Sequence, residues 1–392
     1  MSAVPASPPA GLDEFRDYVV RWLSAQEIPG VAEDLDTRFA ELRRWQGQLY
    51  EAGLIAIAWP REWGGQGLTV HHQLAFVEEL TAFRAPQPIG LIGLDVVGPS
   101  IARYAAPQLR ERLLGPLLSG EDIWCQGFSE PGAGSDLAAL RTKAVREGDE
   151  LVVSGQKTWT SWAHKADRCA LLARTDADAE RHRGIGYLVV DMDSPGVSVR
   201  PIEQMTGESE FGEVYFDEVR VPVGNLLGEP DQGWQIALDT LGHERGSFTI
   251  RRRVEISAPF DDAVAALAAW AERERAEVPD AICEAIGASR VALRALQAQT
   301  WATLRRIAEG DAPSALDSVD KLVLSEVEQT VFGALKDAVG PLVTVPDATA
   351  AGLEAGPTAR NYMYGRAGSI YGGTAQIQRS IVGERLLGLP RP

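Results

Sequence analysis

The stretch Ile123–Trp162, IWCQGFSEPGAGSDLAALRTKAVREGDELVVSGQKTWTSW, decides how the rest of the chain is read. Its first half is a loop rich in Gly, Pro and Ser. The segment SEPGAGSD, Ser129 to Asp136, offers many backbone N–H groups, two small hydroxyls and no bulky side chain. Such a loop suits close backbone approach to a planar, anionic or carbonyl-bearing ligand. The second half has a strand pattern: Glu150 to Val153, a turn at Ser154-Gly155, then Thr158 to Thr160. Trp159 supplies a flat surface that could cover an aromatic ring system. An ordinary loop followed by a β-hairpin accounts for the same residues.

The flanks are helical. Upstream, helices are expected over Asp13 to Ser24, Leu35 to Gly53, Thr69 to Phe83 and Gly98 to Tyr104, with a further one from Pro107 to Gly120. Between Gly127 and Gly228 the period changes to short β-rich runs: Glu150 to Val153, Cys169 to Arg174, Gly186 to Val190, Val197 to Pro201 and Glu213 to Phe216. Their punctuation by Gly, Pro and Asp fits an antiparallel sheet or barrel. Downstream, helix is expected over 231–257, 263–276, 280–309, 317–339 and 360–387, with loops at 310–314 and 340–357. The layout is helices, then β, then helices, in domains 1–121, 122–228 and 229–392.

At 392 residues the chain exceeds one ordinary core, and 45% hydrophobic and 24% charged residues fit a globular protein. A net charge of -17 argues against nucleic acid and against anionic membrane surfaces. No apolar run approaches the roughly 20 residues of a membrane span, and residues 1–10 lack a signal-peptide pattern, so a cytoplasmic location is expected. Three scattered cysteines and five histidines form neither a disulfide framework nor a metal-ligand set, so no metal is expected. His71 and His72 read as exposed or capping. No G-x-G-x-x-G follows a strand, and no P-loop or G-x-S-x-G elbow occurs.

Two further places could carry chemistry. On helix 231–257, Trp234, Leu238, Leu241, Arg245 and Phe248 recur at steps of three or four, so Glu244 and Arg245 border the apolar stripe. A desolvated Glu244 would be a stronger base near neutral pH, and a buried ion pair explains the same pattern. Arg251, Arg252 and Arg253 read as a solvated helix end. In SIYGGTAQIQRSIVGER, Ser369 to Arg385, Thr374 can cap a helix whose N-terminus could accept an electron-rich group, or simply be a capped terminal helix.

These residues together resemble the acyl-CoA dehydrogenases. Phe128 to Asp136 is similar to the family's T/S-E-P-x-A-G-S-D loop, Gly155 to Ser161 to N-G-x-K-x-W-I-T/S, and Tyr371 to Arg379 to E-G-T-x-x-I-Q-R. They lie in family order, and the Gly-Gly-Thr turn and Leu241-Gly242-His243-Glu244-Arg245-Gly246 look most like actinobacterial members. The resemblance implies an α+β multidomain fold: an N-terminal helical domain, a middle antiparallel β-barrel and a C-terminal four-helix bundle. It also implies FAD, an acyl-CoA substrate and an electron-transfer flavoprotein as acceptor. A carboxylate removes the α-proton while the β-hydride passes to flavin N5.

Carried over by position, Gln126, Phe128 and Ser129 border the isoalloxazine, Trp159 and Ser161 pack beside it, and Thr374 and Gln376 meet it from the C-terminal helix. Ser135 contacts the acyl-CoA, and Arg245, beside the base, is the second substrate-side candidate. The chain departs from the pattern in three places. Gly372 stands where many members carry the base, which points to Glu244, on the helix that carries it in the isovaleryl-CoA dehydrogenase branch. The R-x-x-F-G segment is replaced by Trp270 to Arg275, and the G-G-x-G loop by the sequence around Ala338 to Pro341. The expected assembly is a homotetramer, a dimer or an α2β2 heteromer. Beside the dehydrogenase stand two alternatives: a subunit that completes a partner's flavin site, and an oxidase or tailoring desaturase.

Overall fold

The computed structural model describes residues 6–30, 32, 34–179, 181–311 and 314–390, with the side chains of 243–247 left outside the description. Two compact units result, Met1–Glu244 and Arg245–Pro392, with the division falling inside one long helix.

The first unit opens with helices α1 (Leu12–Ser24), α2 (Leu35–Glu51), α3 (Val70–Ala82), α4 (Gly98–Tyr104) and α5 (Pro107–Ser119). Phe15, Val19 and Leu23 recur every four residues on the buried face of α1. Asp34 starts α2 by accepting a bond from the Thr37 N–H at 2.8 Å. Thr69 and His72 close a capping box at the head of α3, so His72 is a buried cap. One element was not legible: Ile92–Val97 winds as a π-helix before α4.

Eight strands follow: β1 (Trp124–Gly127), β2 (Lys143–Glu147), β3 (Glu150–Ser161), β4 (Arg168–Arg174), β5 (Ile185–Asp191), β6 (Val197–Ile202), β7 (Phe211–Pro222) and β8 (Leu226–Leu227). They form one sheet in the order β6-β7-β3-β2-β4-β5-β8, with β1 beside β4. The sheet is mixed rather than wholly antiparallel, because β1 and β2 both run parallel to β4.

The expected hairpin turn at Ser154-Gly155 does not form. β3 continues through it, paired with β7 from Glu150↔Pro222 to Ser161↔Phe211, and the irregular residues become bulges after Val153 and Lys157. Partners along the whole of β7 satisfy both halves of β3, so a bulge costs less than ending the ladder. A Cβ on Gly155 would lie 2.6 Å from the Thr142 Cα, so the first bulge needs glycine.

Strands β4 and β5 are buried on both faces, which explains their unbroken apolar runs. Ala170, Leu172, Tyr187 and Val189 join the core of the N-terminal helices around Phe15, Trp45 and Leu113. Cys169, Leu171, Leu188 and Val190 face a second core with Val153, Val214 and Val219.

Helix α6 (Gly233–Glu274) spans the division between the units. The break expected after residue 257 is absent although Pro259 lies inside the helix. Proline removes one backbone bond, and the flanking Ile256 and Phe260 are fully buried in the core of the second unit, which holds the helix together. That core is completed by Leu293 and Leu296 of α7 (Asp280–Ala308) and by Leu324, Val331 and Phe332 of α8 (Leu316–Val339). A short hairpin, β9 (Thr349–Ala350) and β10 (Leu353–Glu354), lies in the region expected to be loop. The helix expected over 360–387 is broken: α9 (Ala355–Tyr364) stops before the glycine turn, and α10 (Ala375–Ile381) begins after it and runs on as a π-helix over Val382–Leu386. Gly372 and Gly373 separate them at φ of 60° and 89°, a left-handed conformation that no helix continues through.

Candidate functional site

In the first unit, the loop after β1 is tied to β3. The Ser129 carbonyl accepts the Thr158 N–H at 2.9 Å. Glu130 and Ala133 exchange backbone bonds of 3.0 Å, folding the loop into a tight bridge. The Glu130 side chain is buried and collects three donors: the Arg141 N–H at 2.7 Å, the Thr142 N–H at 2.8 Å and Lys157 Nζ at 2.8 Å. Burial alone would raise the Glu130 pKa, but Lys157 and the two amides hold it below the usual carboxylate range. Burial pushes Lys157 down to about 8, against the pull of Glu130. Asp136, at the far end of the loop, accepts from Arg181 at 2.7 Å in an exposed pair.

Around this loop stand most of the sequence-derived candidates. Gln126 lies on β1 opposite Ala170, and its Nε2 is buried without a hydrogen-bond partner among the described residues. Phe128 is buried edge-on against Tyr187, with ring centroids 5.7 Å apart. Trp159 sits on the second bulge of β3 at φ 58°, the residue 61% exposed and its ring nearly perpendicular to that of Phe211. A bulky residue at positive φ is strained backbone, and here it turns a large flat side chain out of the sheet. Ser161 is half-buried two residues on, and Ser135 is exposed beyond the Glu130–Ala133 bridge. Gln126, Phe128 and Ser129 are thus joined to Thr158–Ser161 through the Ser129–Thr158 bond.

In the second unit, Thr374 caps α10 by accepting the Ile377 N–H at 3.2 Å, and Gln376 is exposed on its first turn. The glycine turn before it is held by Gln378, which is fully buried and donates from Nε2 to the Gly372 carbonyl at 2.9 Å and the Gly373 carbonyl at 3.4 Å. The Tyr371 ring lies under Lys321 Nζ at 4.0 Å and edge-on to Phe248 at 5.7 Å. Arg251–Arg253 do not form a solvated helix end. The helix runs on, and Arg252 is buried between Glu328 and Glu255, with Arg251 also on Glu255 at 3.2 Å. Burial works against the Arg252 charge, and those two carboxylates overcome it. The side chains of Glu244 and Arg245 lie outside the described residues.

Lys157, Gln378 and Lys321 were given no role by sequence reasoning. A charged residue at an inward position of a β-strand was the available signal for Lys157. For Lys321 the signal was its place on the stripe with Leu324, Glu328 and Leu335.

Helical, β-sheet and helical segments follow in this order, with a glycine loop pinned to a strand that turns out a tryptophan, which is the layout expected of the family that the motifs resemble. Sequence profiles agree over nearly the whole length: "Acyl-CoA dehydrogenase, N-terminal domain" matches residues 11–121, the middle domain 125–219 and the C-terminal domain 231–387. The chain belongs to the acyl-CoA dehydrogenase family, whose members are FAD-dependent flavoproteins. It is 38% identical to acyl-CoA dehydrogenase IpdE1 of Mycobacterium tuberculosis over 97% of this chain and 98% of that protein. Its fold is similar to the Tcur3481-Tcur3483 steroid ACAD, with a TM-score of 0.84, 28% identity and coverage of 98% and 99%. It is also similar to the ChsE4-ChsE5 complex from Mycobacterium tuberculosis, with a TM-score of 0.80, 29% identity and 97% of each chain covered.

The residues present fit a flavin. Gln126 Nε2 is a buried donor without a partner among the described residues, and a Cβ on Gly132 or Gly134 would meet nothing within 4 Å. No group of three or more His, Cys, Asp or Glu among the described residues could hold a metal ion. No helix among them is long and apolar enough to cross a membrane.

Proposed function

We propose that this chain dehydrogenates an acyl-CoA thioester between Cα and Cβ, giving the trans-2-enoyl-CoA, with Glu244 as the base. The carrying observation is at Gly372: the position where many relatives hold the base has no side chain and lies at φ 60°, which leaves Glu244 of α6 as the candidate carboxylate. Gln126, Phe128 and Ser129 would border the flavin ring, Trp159 and Ser161 would cover its edge, and Thr374 and Gln376 would approach it from α10. FAD, when bound, supplies the hydride acceptor. Ser135 and Arg245 orient the thioester, and Glu244 takes the α-proton. An electron-transfer flavoprotein is the proposed acceptor. Because a structural neighbour is described as a steroid ACAD, thioesters of ring-bearing acids belong in the substrate panel beside straight and branched chains.

Glu244→Gln keeps the shape and removes the basic carboxylate. Turnover of the best thioester should fall by at least about 100-fold while FAD stays bound. Undiminished turnover sinks the assignment of the base.

A second reading is favoured by the replacement of R-x-x-F-G with Trp270 to Arg275 and by similarity to a two-component complex. In it, the chain forms an α2β2 heteromer and completes a partner's flavin site. A colourless protein that gains flavin only on mixing with such a partner supports that reading, whereas a yellow protein purified alone excludes it.

A further inference from the structure

One buried pair closes the glycine loop at both ends. Lys157 Nζ, fully buried on β3, donates to the Phe128 carbonyl at 2.9 Å and to Glu130 Oε1 at 2.8 Å. That same Oε1 accepts the Thr142 N–H at 2.8 Å, and Oε2 accepts the Arg141 N–H at 2.7 Å. So the entry to the loop at Phe128 and its return at 141–142 are tied to one strand residue. The Lys157 stem passes Gly127, whose Cβ position is 3.5 Å from Lys157 Cγ and 2.8 Å from Cys169 Sγ. A larger residue at 127 has no room between Cys169 of β4 and the Lys157 stem, and Phe128 and Ser129 are bonded to β3 through Lys157 Nζ and the Thr158 N–H.

A buried ion pair adds little net stability over an apolar pair of similar volume, because desolvation offsets the attraction. What an apolar pair cannot supply is a donor to a carbonyl and an acceptor for two amides at fixed positions. We infer that Lys157, through Glu130 and the Phe128 carbonyl, is a positioning residue for the flavin-facing stretch Gln126–Ser129, a role resting on the reading that this face receives FAD. It sets the backbone before the cofactor arrives, so that binding does not have to order the loop.

The test separates folding from positioning. Lys157→Met leaves Glu130 as an uncompensated buried charge and lowers the melting temperature. The double variant Lys157→Met/Glu130→Gln removes both charges and recovers most of that loss. Its apo form, titrated with FAD by flavin fluorescence, should bind roughly tenfold more weakly than the parent, with an altered visible circular dichroism band. A double variant that recovers its melting temperature and binds FAD within about twofold of the parent overturns the proposal. A parent chain that binds no FAD overturns the reading of the face itself. Hydrogen exchange of the parent covers the case in which the double variant does not fold. The amides of Arg141, Thr142 and Thr158 should be protected without FAD; amides that slow only when FAD is added show that the cofactor orders the loop, and Lys157 then has no positioning role.

Discussion

Glu130 and Gln378 hold glycine-rich backbone in opposite ways. Glu130 is an acceptor: its carboxylate draws in two backbone amides and the Lys157 ammonium. Gln378 is a donor: its carboxamide bonds the carbonyls of Gly372 and Gly373. The first arrangement carries charge into a buried place, and the second carries none. The loop at 128–142 is therefore held by a device that is costly to halve and sensitive to acid. The turn at 371–374 is held by one that is cheaper to lose and indifferent to pH.

The largest effect should come from halving the pair. Glu130→Gln leaves the Lys157 ammonium buried without its carboxylate, a loss of about 3–5 kcal/mol. The acid behaviour follows from the sign of the shift. Glu130 is held below the ordinary glutamate value of 4.5, so the unfolded chain binds more protons than the folded one between those two values. Its contribution is complete above the ordinary value and is lost as pH falls through the folded one. Urea midpoints of the parent should drop on acidification below about pH 4.5, and part of that slope should vanish in Glu130→Gln. Parallel acid profiles for parent and variant would show that Glu130 is not held low.

A smaller, flat effect is expected at the turn. Gln378→Leu fills much of the same volume and leaves two carbonyls without their donor, a cost of about 1–3 kcal/mol. The shift in urea midpoint should be the same at pH 5 and pH 7. A pH-dependent shift would mean that the turn is held by the charged residues near Tyr371, Lys321 among them, rather than by the carboxamide.

The contrast also marks what could be read in advance. Helix positions were legible because Phe15, Val19 and Leu23, or Leu324 and Val331, repeat at helical spacing, and β4 and β5 because their apolar runs are unbroken. The motif segments around Phe128 and Thr374 were legible as glycine loops with hydroxyls. What escaped depends on partners distant in sequence. Gly155 reads as a turn unless β7 is known to pair along all of β3. Pro259 reads as a break unless the core around Ile256 and Phe260 is known. Arg252 reads as solvated until Glu328, 76 residues away, is found beside it. Lys157 has no visible partner within its motif, since its two acceptors lie 27 and 29 residues upstream.

The smallest effect belongs to the outer rim of the loop. Asp136 and Arg181 meet at 2.7 Å, yet their side chains are 62% and 65% exposed, so water and salt already screen the pair. Asp136→Asn should change stability by no more than about 0.5 kcal/mol, with a difference that shrinks further between 0.05 and 0.5 M salt, roughly a threefold change in Debye length. If the loop owed its shape to charge throughout, this variant would rival Glu130→Gln. A negligible shift locates the restraint inward, in the Glu130–Ala133 backbone bridge and the buried carboxylate. The rim carrying Ser135 is then free to adjust to a ligand, while the stretch from Gln126 to Glu130 is not.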